Sequence, residues 1–160
     1  ILPSHLKTFG PPRHRYEEFF VNNFTFINDS KATNTHATKF ALSKTLYKTH
    51  LLLGGRSKGN SFKTLEPHLE NVSKIFCFGE ASSQIKKDLC KSGLEIFKHQ
   101  TLKQAICAVC DIIEKEPAIV LFSPACSSFD EFDNFEARGD FFCDTVRKLT
   151  PKHKKTIPRC

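Results

Sequence analysis

Ala118-Ile119-Val120-Leu121-Phe122, followed at once by Ser123-Pro124-Ala125-Cys126-Ser127-Ser128, decides the fold. Five consecutive apolar residues closed by small polar ones read as a short strand buried on both faces. Working outward, the same punctuation recurs. His50–Leu53 ends in Gly54-Gly55, Lys74–Phe78 ends in Gly79, and Leu94–Phe97 is a third apolar run. Helical periodicity fills the gaps. Phe62–Leu69 reads as a helix, and Ala81, Ile85 and Leu89 lie four apart. Leu102, Ile106, Val109 and Ile113 follow a Thr101-x-x-Gln104 capping box. Ser128-x-x-Glu131 reads as a second capping box, before a helix carrying Phe135, Phe142, Val146 and Leu149 and stopping at Pro151. Alternating strands and helices at this spacing predict an α/β, Rossmann-like fold. Its sheet is expected to be mostly parallel and doubly wound, with flanking helices and 118–122 near the centre.

Upstream, residues 1–12 read as loop, punctuated by Pro3, Gly10, Pro11 and Pro12. Arg15–Val21 and Phe24–Asn28 are β-rich runs split by Asn22-Asn23, a hairpin pattern. Asn28–Asn34 is polar and turn-like. Asn34 or Thr35 then caps a helix expected to turn Ala37, Phe40 and Ala41 to one side.

The chain has 160 residues, 39% hydrophobic and 26% charged. That is a single globular domain with no run near the twenty or so apolar residues of a membrane span. No signal peptide is visible, and the sequence opens at Ile1 without any Met, which reads as a fragment or a processed product. The net charge of +7 favours anionic partners such as phosphate esters and carboxylates. No zinc finger, RNP signature or aromatic-interleaved basic stripe points to nucleic acid. Residues 151–160 form a basic tail, read as solvated. The seven cysteines read as reduced thiols filling apolar segments, Cys107-x-x-Cys110 included, with no metal site expected. The sequons at Asn23, Asn28 and Asn71 read as incidental.

Three polar clusters sit at predicted strand ends, where α/β sheets bind ligands. The first holds Asp29, Lys31, Thr33 and Asn34 before a helix N-terminus. Backbone N–H groups and a cation there suit a phosphate or carboxylate, and Asp29 could hold a metal or a ribose hydroxyl. A plain turn and helix cap reads equally well. The second is Gly54-Gly55-Arg56-Ser57-Lys58-Gly59, with two glycines for close backbone approach and Lys58 for charge. It is not a Walker A loop, and no such loop occurs elsewhere in these residues. The third is Ser123–Asp130, whose hydroxyls suit a carboxylate. A nucleophilic Cys126 or Ser128 lacks both a nucleophile elbow and a neighbouring His.

His-Arg-Tyr-Glu at 14–17, Asn-Asp-Ser-Lys-Ala-Thr-Asn at 28–34 and Leu-Leu-Leu-Gly-Gly-x-x-Lys at 51–58 occur in one order. Ser-Pro-Ala-Cys-Ser-Ser-Phe-Asp-x-Phe-x-Asn-Phe-Glu-x-Arg-Gly at 123–139 completes the set. Together, across about residues 9–149, they resemble the Mur ligases, the amide-forming ligases of bacterial peptidoglycan synthesis, and among them the D-glutamate-adding branch. The resemblance implies a three-domain protein. Residues 13–150 would be its C-terminal domain, and residues 1–12 a remnant of the central ATPase domain. It implies an acyl-phosphate route in which ATP phosphorylates UDP-N-acetylmuramoyl-L-alanine and D-glutamate attacks. It implies Mg²⁺ held mainly by the central domain, a cytoplasmic location, a monomer, no membrane or nucleic-acid partner, and no ligase activity in these residues alone. His14, Arg15, Asp29, Lys31 and Asn34 would face ATP. Thr33, Lys58, Ser128, Phe129 and Phe135 would hold D-glutamate. No catalytic residue and no metal ligand is assigned. Arg56 departs from the expected small or acidic residue, which leaves that loop's contacts open. The competing reading is a stand-alone Rossmann-like module for an acidic small molecule or nucleotide.

Overall fold

A computed structural model describes residues 12–150. The expectations for residues 1–11 and for the basic tail fall outside it. Six strands form one sheet in the order β1-β2-β6-β3-β4-β5. They are β1 (Glu17–Val21), β2 (Phe24–Asn28), β3 (Thr49–Gly54), β4 (Val72–Phe78), β5 (Glu95–Lys98) and β6 (Ile119–Ala125). β1 and β2 are an antiparallel hairpin, and every other pairing is parallel. The doubly wound α/β expectation holds, and β6 is interior, flanked by β2 and β3.

Alternation along the strands builds two cores. Ile27, Leu51, Leu53, Ile75, Cys77 and Leu121 face one side, covered by α1 (Thr35–Lys44), α2 (Ser82–Asp88) and a 3-10 segment at Phe62–His68. Phe26, Leu52, Phe76, Phe78, Val120 and Phe122 face the other, under α3 (Leu102–Lys115) and α4 (Phe135–Leu149). Phe122 and Phe142 stack at 4.6 Å, fixing α4 over the sheet's middle. The Thr101–Gln104 capping box forms as expected. No helix among the described residues is long and apolar enough to cross a membrane.

Four local expectations fail for identifiable reasons. Phe62–His68 winds as 3-10, with Pro67 inside it unable to donate an α-helical hydrogen bond. Phe40 is 66% exposed, because α1 buries Thr35, Thr38, Ala41 and Leu42 instead. Ser128 and Glu131 are not a capping box, since α4 starts at Phe135 behind Asn134, whose side chain accepts from Ala37's counterpart in this helix, the Ala137 N–H. The Glu131 carboxylate crosses to α3 and accepts the Leu102 N–H through both oxygens at 3.2 Å. Among the cysteines, Cys77, Cys110, Cys126 and Cys143 are buried thiols, but Cys90 lies on the surface, in the 3-10 turn after α2.

Two histidines give the fold a pH dependence. His50 is fully buried in β3, and its Nε2–H donates to the Glu116 carbonyl at 3.0 Å, leaving Nδ1 buried without a partner. His99 Nε2 is likewise buried and unpaired. Burial holds both imidazoles below their ordinary value of 6.5. Below that pH the unfolded chain takes up protons that the folded one refuses. Stability is therefore full above the ordinary value and falls beneath it. Urea midpoints should drop between about pH 7.5 and about pH 5.5, and His50→Gln should make the drop shallower. An unchanged slope in that variant would remove His50 from the account.

Candidate functional site

The strand order sets the site. β2, β6 and β3 are adjacent and parallel, so the loops after Asn28, Ala125 and Gly54 emerge side by side at one sheet edge. The backbone stitches them together. The Ala125 N–H donates to the Ala32 carbonyl at 2.9 Å. Arg56 and Ser127 exchange both backbone hydrogen bonds, at 2.9 and 3.0 Å. That approach requires Gly55, at φ +125°, where a Cβ would stand 2.3 Å from the Ser127 carbonyl oxygen.

The first loop closes on itself around Asp29. One carboxylate oxygen accepts the Tyr16 N–H at 3.0 Å, and the other accepts the Ser123 hydroxyl at 2.7 Å. Burial raises the carboxyl's pKa, and these two hydrogen bonds oppose the rise. His14 is buried beneath the same loop at a left-handed φ of 65°. Its Nδ1 accepts from the Asn28 amide at 2.9 Å, and its carbonyl accepts the Lys31 N–H at 2.9 Å. Asn34 accepts the Ala37 N–H at 2.9 Å and so caps α1. His14 and Asn34 thus shape the loop with side chains already engaged.

Lys31 is exposed, with its ammonium 5.6 Å from the centre of the Phe135 ring. Arg15, Asp29, Lys31, His36, Phe40 and Lys44 line a cavity of about 560 Å³. Three lysine and arginine side chains against one buried carboxylate make it an anion-attracting cleft. Lys44 sits 4.2 Å over the Tyr16 ring, an aromatic wall for the same cleft. His36, Phe40 and Lys44 were missed from sequence; their i, i+4, i+8 spacing was the available signal.

Beside this cleft, Lys58 Nζ reaches Thr33 Oγ1 at 3.5 Å, so the second loop meets the first. Ser128 is buried at the start of the third loop's turn, where its carbonyl accepts the Glu131 and Phe132 N–H groups. Phe129 is exposed and Phe135 half-buried. Arg56, whose contacts were open, makes a two-point ion pair with Glu80 at 3.0 and 3.1 Å on the surface. Burial pushes the Cys126 thiol up to about 12, leaving no thiolate to act as a nucleophile.

Among the described residues, no three His, Cys, Asp or Glu side chains stand together as metal ligands. The Asp29 oxygens are both taken. These residues do not fit a Mg²⁺ ion.

Residues 14–126 match the family model described as "Mur ligase, glutamate ligase domain". The chain belongs to the Mur ligase family. A UDP-N-acetylmuramoylalanine–D-glutamate ligase of Bacillus cereus (strain G9842) is 42% identical over 146 residues, covering 90% of this chain and 32% of that protein. The same-named protein of Bacillus thuringiensis (strain Al Hakam) is 41% identical over 150 residues, covering 92% and 33%. The chain therefore spans about a third of the length of these relatives. Among solved structures, MurF of Acinetobacter baumannii superposes with a TM-score of 0.65 at 13% identity, over 89% of this chain and 32% of that one. MurF of Thermotoga maritima, solved with ADP, gives 0.53 at 11%, over 89% and 32%. At those identities the likeness is one of fold, and it is the Mur ligase fold.

Proposed function

We propose that this domain supplies the D-glutamate-binding, ATP-contacting part of a ligase that joins D-glutamate to UDP-N-acetylmuramoyl-L-alanine in peptidoglycan synthesis. The observation that carries the reading is the meeting of Lys58 with Thr33 beside the cationic Lys31 cleft. An anionic amino acid and a polyphosphate need two adjacent cationic places, and the loops offer two. Lys31 and Arg15 are assigned to the ATP phosphates. Asp29, His14 and Asn34 act on that site by holding its loop. Lys58 is assigned to a glutamate carboxylate, with Thr33 and Ser128 as hydroxyl donors and Phe129 and Phe135 as its walls.

The chemistry asked of these residues is positioning and charge compensation. ATP converts the L-alanine carboxylate of the UDP-linked substrate to an acyl phosphate, with ADP leaving. The D-glutamate amine, once deprotonated, adds to the acyl carbon, and the tetrahedral adduct expels phosphate as the amide forms. Lys58 and the hydroxyls would aim the amine by gripping the carboxylates, and Lys31 would offset charge on the phosphates. ATP and a UDP-linked sugar as substrates fit a cytoplasmic reaction.

The test is D-glutamate-dependent ADP release by the native protein that carries this domain. Ser128→Ala should raise KM for D-glutamate about tenfold or more, the scale of a hydrogen bond to a charged group, with folding intact. Residues 1–160 alone should release no ADP, since they carry no P-loop. Wild-type kinetics in Ser128→Ala would remove that residue from the site. ADP release that ignores D-glutamate would favour a nucleotide-binding module instead.

A further inference from the structure

Arg138 lies on the inward stripe of α4 and is 1% exposed. No part of the function above uses it. Its Nε–H donates to Ser30 Oγ at 3.0 Å, its Nη2–H to the Ser30 carbonyl at 2.6 Å, and its Nη1–H to the Cys126 carbonyl at 2.9 Å. All three acceptors are neutral. The Glu131 carboxylate is committed to the Leu102 N–H, and the Asp130 carboxylate to the Glu80 N–H at 3.2 Å. A buried cation without an ion pair is costly, and an apolar side chain on this stripe would have been cheaper for packing. What the guanidinium adds is geometry. Its fork reaches two acceptors on one loop and one on another. Ser30 hands the link on, its hydroxyl donating to the Phe135 carbonyl at 2.8 Å.

The chain neighbours of those acceptors matter. Ser30 immediately precedes Lys31, and Cys126 lies two residues before Ser128. Gly55 completes the fit from the third loop, since a Cβ there would lie 3.2 Å from Arg138 Nη1. We infer that Arg138 is a positioning residue that locks the Lys31 loop and the Ser128 loop into one register, so that one guanidinium sets the spacing between the phosphate-side and glutamate-side contacts. This rests on the function proposed above. Lysine would keep the charge but lose the fork, and so lose the register.

The experiment compares Arg138→Lys, Ser30→Ala and the control Val109→Ala in the native protein. Val109 is a buried α3 residue remote from the loops in sequence, and its truncation lowers stability without touching either one. Amide hydrogen exchange follows the Lys31 and Ala32 N–H groups, which hold the first loop through the His14 and Asp29 carbonyls, and the Ala125 and Ser127 N–H groups, which cross between loops to the Ala32 and Arg56 carbonyls. Kinetics follow KM for ATP and for D-glutamate. Arg138→Lys should speed exchange in both loops together and cut kcat/KM about a hundredfold, the scale of a small misplacement. Ser30→Ala should do the same more weakly, and it keeps the test open should Arg138→Lys fail to fold. Val109→Ala should lower the melting temperature and leave both KM values alone. Arg138→Lys and Ser30→Ala variants that lose stability but keep loop protection and both KM values would overturn the inference. So would loosening of only one loop. Should the wild-type protein show no D-glutamate-dependent ADP release, the functional reading fails, and the exchange pattern alone decides the coupling.

Discussion

Lys31→Ala should cut D-glutamate-dependent ADP release by about a hundredfold to a thousandfold, the usual loss when one preorganised charge-stabilising group is removed. The melting temperature should hardly move. The reason lies in how Lys31 is attached. Its backbone N–H binds the His14 carbonyl, a link that survives substitution. Its side chain is exposed, with the ammonium 5.6 Å from the centre of the Phe135 ring, a contact of small worth in water. The loop around it is held by Asp29 through Tyr16 and Ser123, not by the lysine. Activity and stability are thus separable at this position, as they are not at Asp29, where substitution removes two hydrogen bonds, strips the Tyr16 N–H of its acceptor and leaves the Ser123 hydroxyl only Thr38 Oγ1 at 3.1 Å. Measuring ADP release and thermal unfolding on the same variant checks both halves. Wild-type turnover would move the phosphate contact to Arg15 or Lys44, the other cations of the cleft.

The contrast between Lys31 and Asp29 also marks what could be read before any coordinates. The sheet was legible because each buried strand ends in glycine or a small polar residue and because Leu51, Leu52 and Leu53 simply alternate faces. The placement of the site was legible for the same reason, since parallel strands bring their ends to one edge. Roles were harder. Asp29 and His14 read as ligand contacts, and what the sequence could not show is that partners on other segments also hold them, Tyr16 and Ser123 on Asp29 and Asn28 on His14. Glu131 read as a local cap because the spacing from Ser128 was right, while its true partner is the Leu102 N–H, 29 positions away. Phe40 read as core because aromatic residues on helices usually are. α1 meets the sheet through Thr38 and Ala41, too small a face to draw Phe40 inward. Arg138 lay on the apolar stripe of Phe135, Phe142 and Val146, and a charge there was the one visible sign of its work. Its three acceptors could only be found in space.

Gly55→Ala should be strongly damaging, lowering stability by about 2–5 kcal/mol. Two costs combine. At φ +125° an L-residue is strained whatever room it has. There is no room either, since the added Cβ would meet the Ser127 carbonyl oxygen at 2.3 Å and the Cys126 Cβ at 3.0 Å. Neither can retreat cheaply. The Ser127 carbonyl is hydrogen-bonded to the Arg56 N–H, and the Cys126 carbonyl to Arg138. Relief must therefore part the second loop from the third, drawing Lys58 away from Ser128. The functional signature follows: KM for D-glutamate should rise more than KM for ATP, because the Lys31 loop joins the third loop through Ala32 and Ala125, outside the clash. Gly59→Ala is the matched comparison. It also replaces a left-handed glycine, at φ +89°, but a Cβ there meets nothing within 4 Å. It should carry the backbone strain alone, about 1–3 kcal/mol. Chemical denaturation of the two variants separates strain from clash. Equal losses would mean that the loops do not depend on the close approach at Gly55.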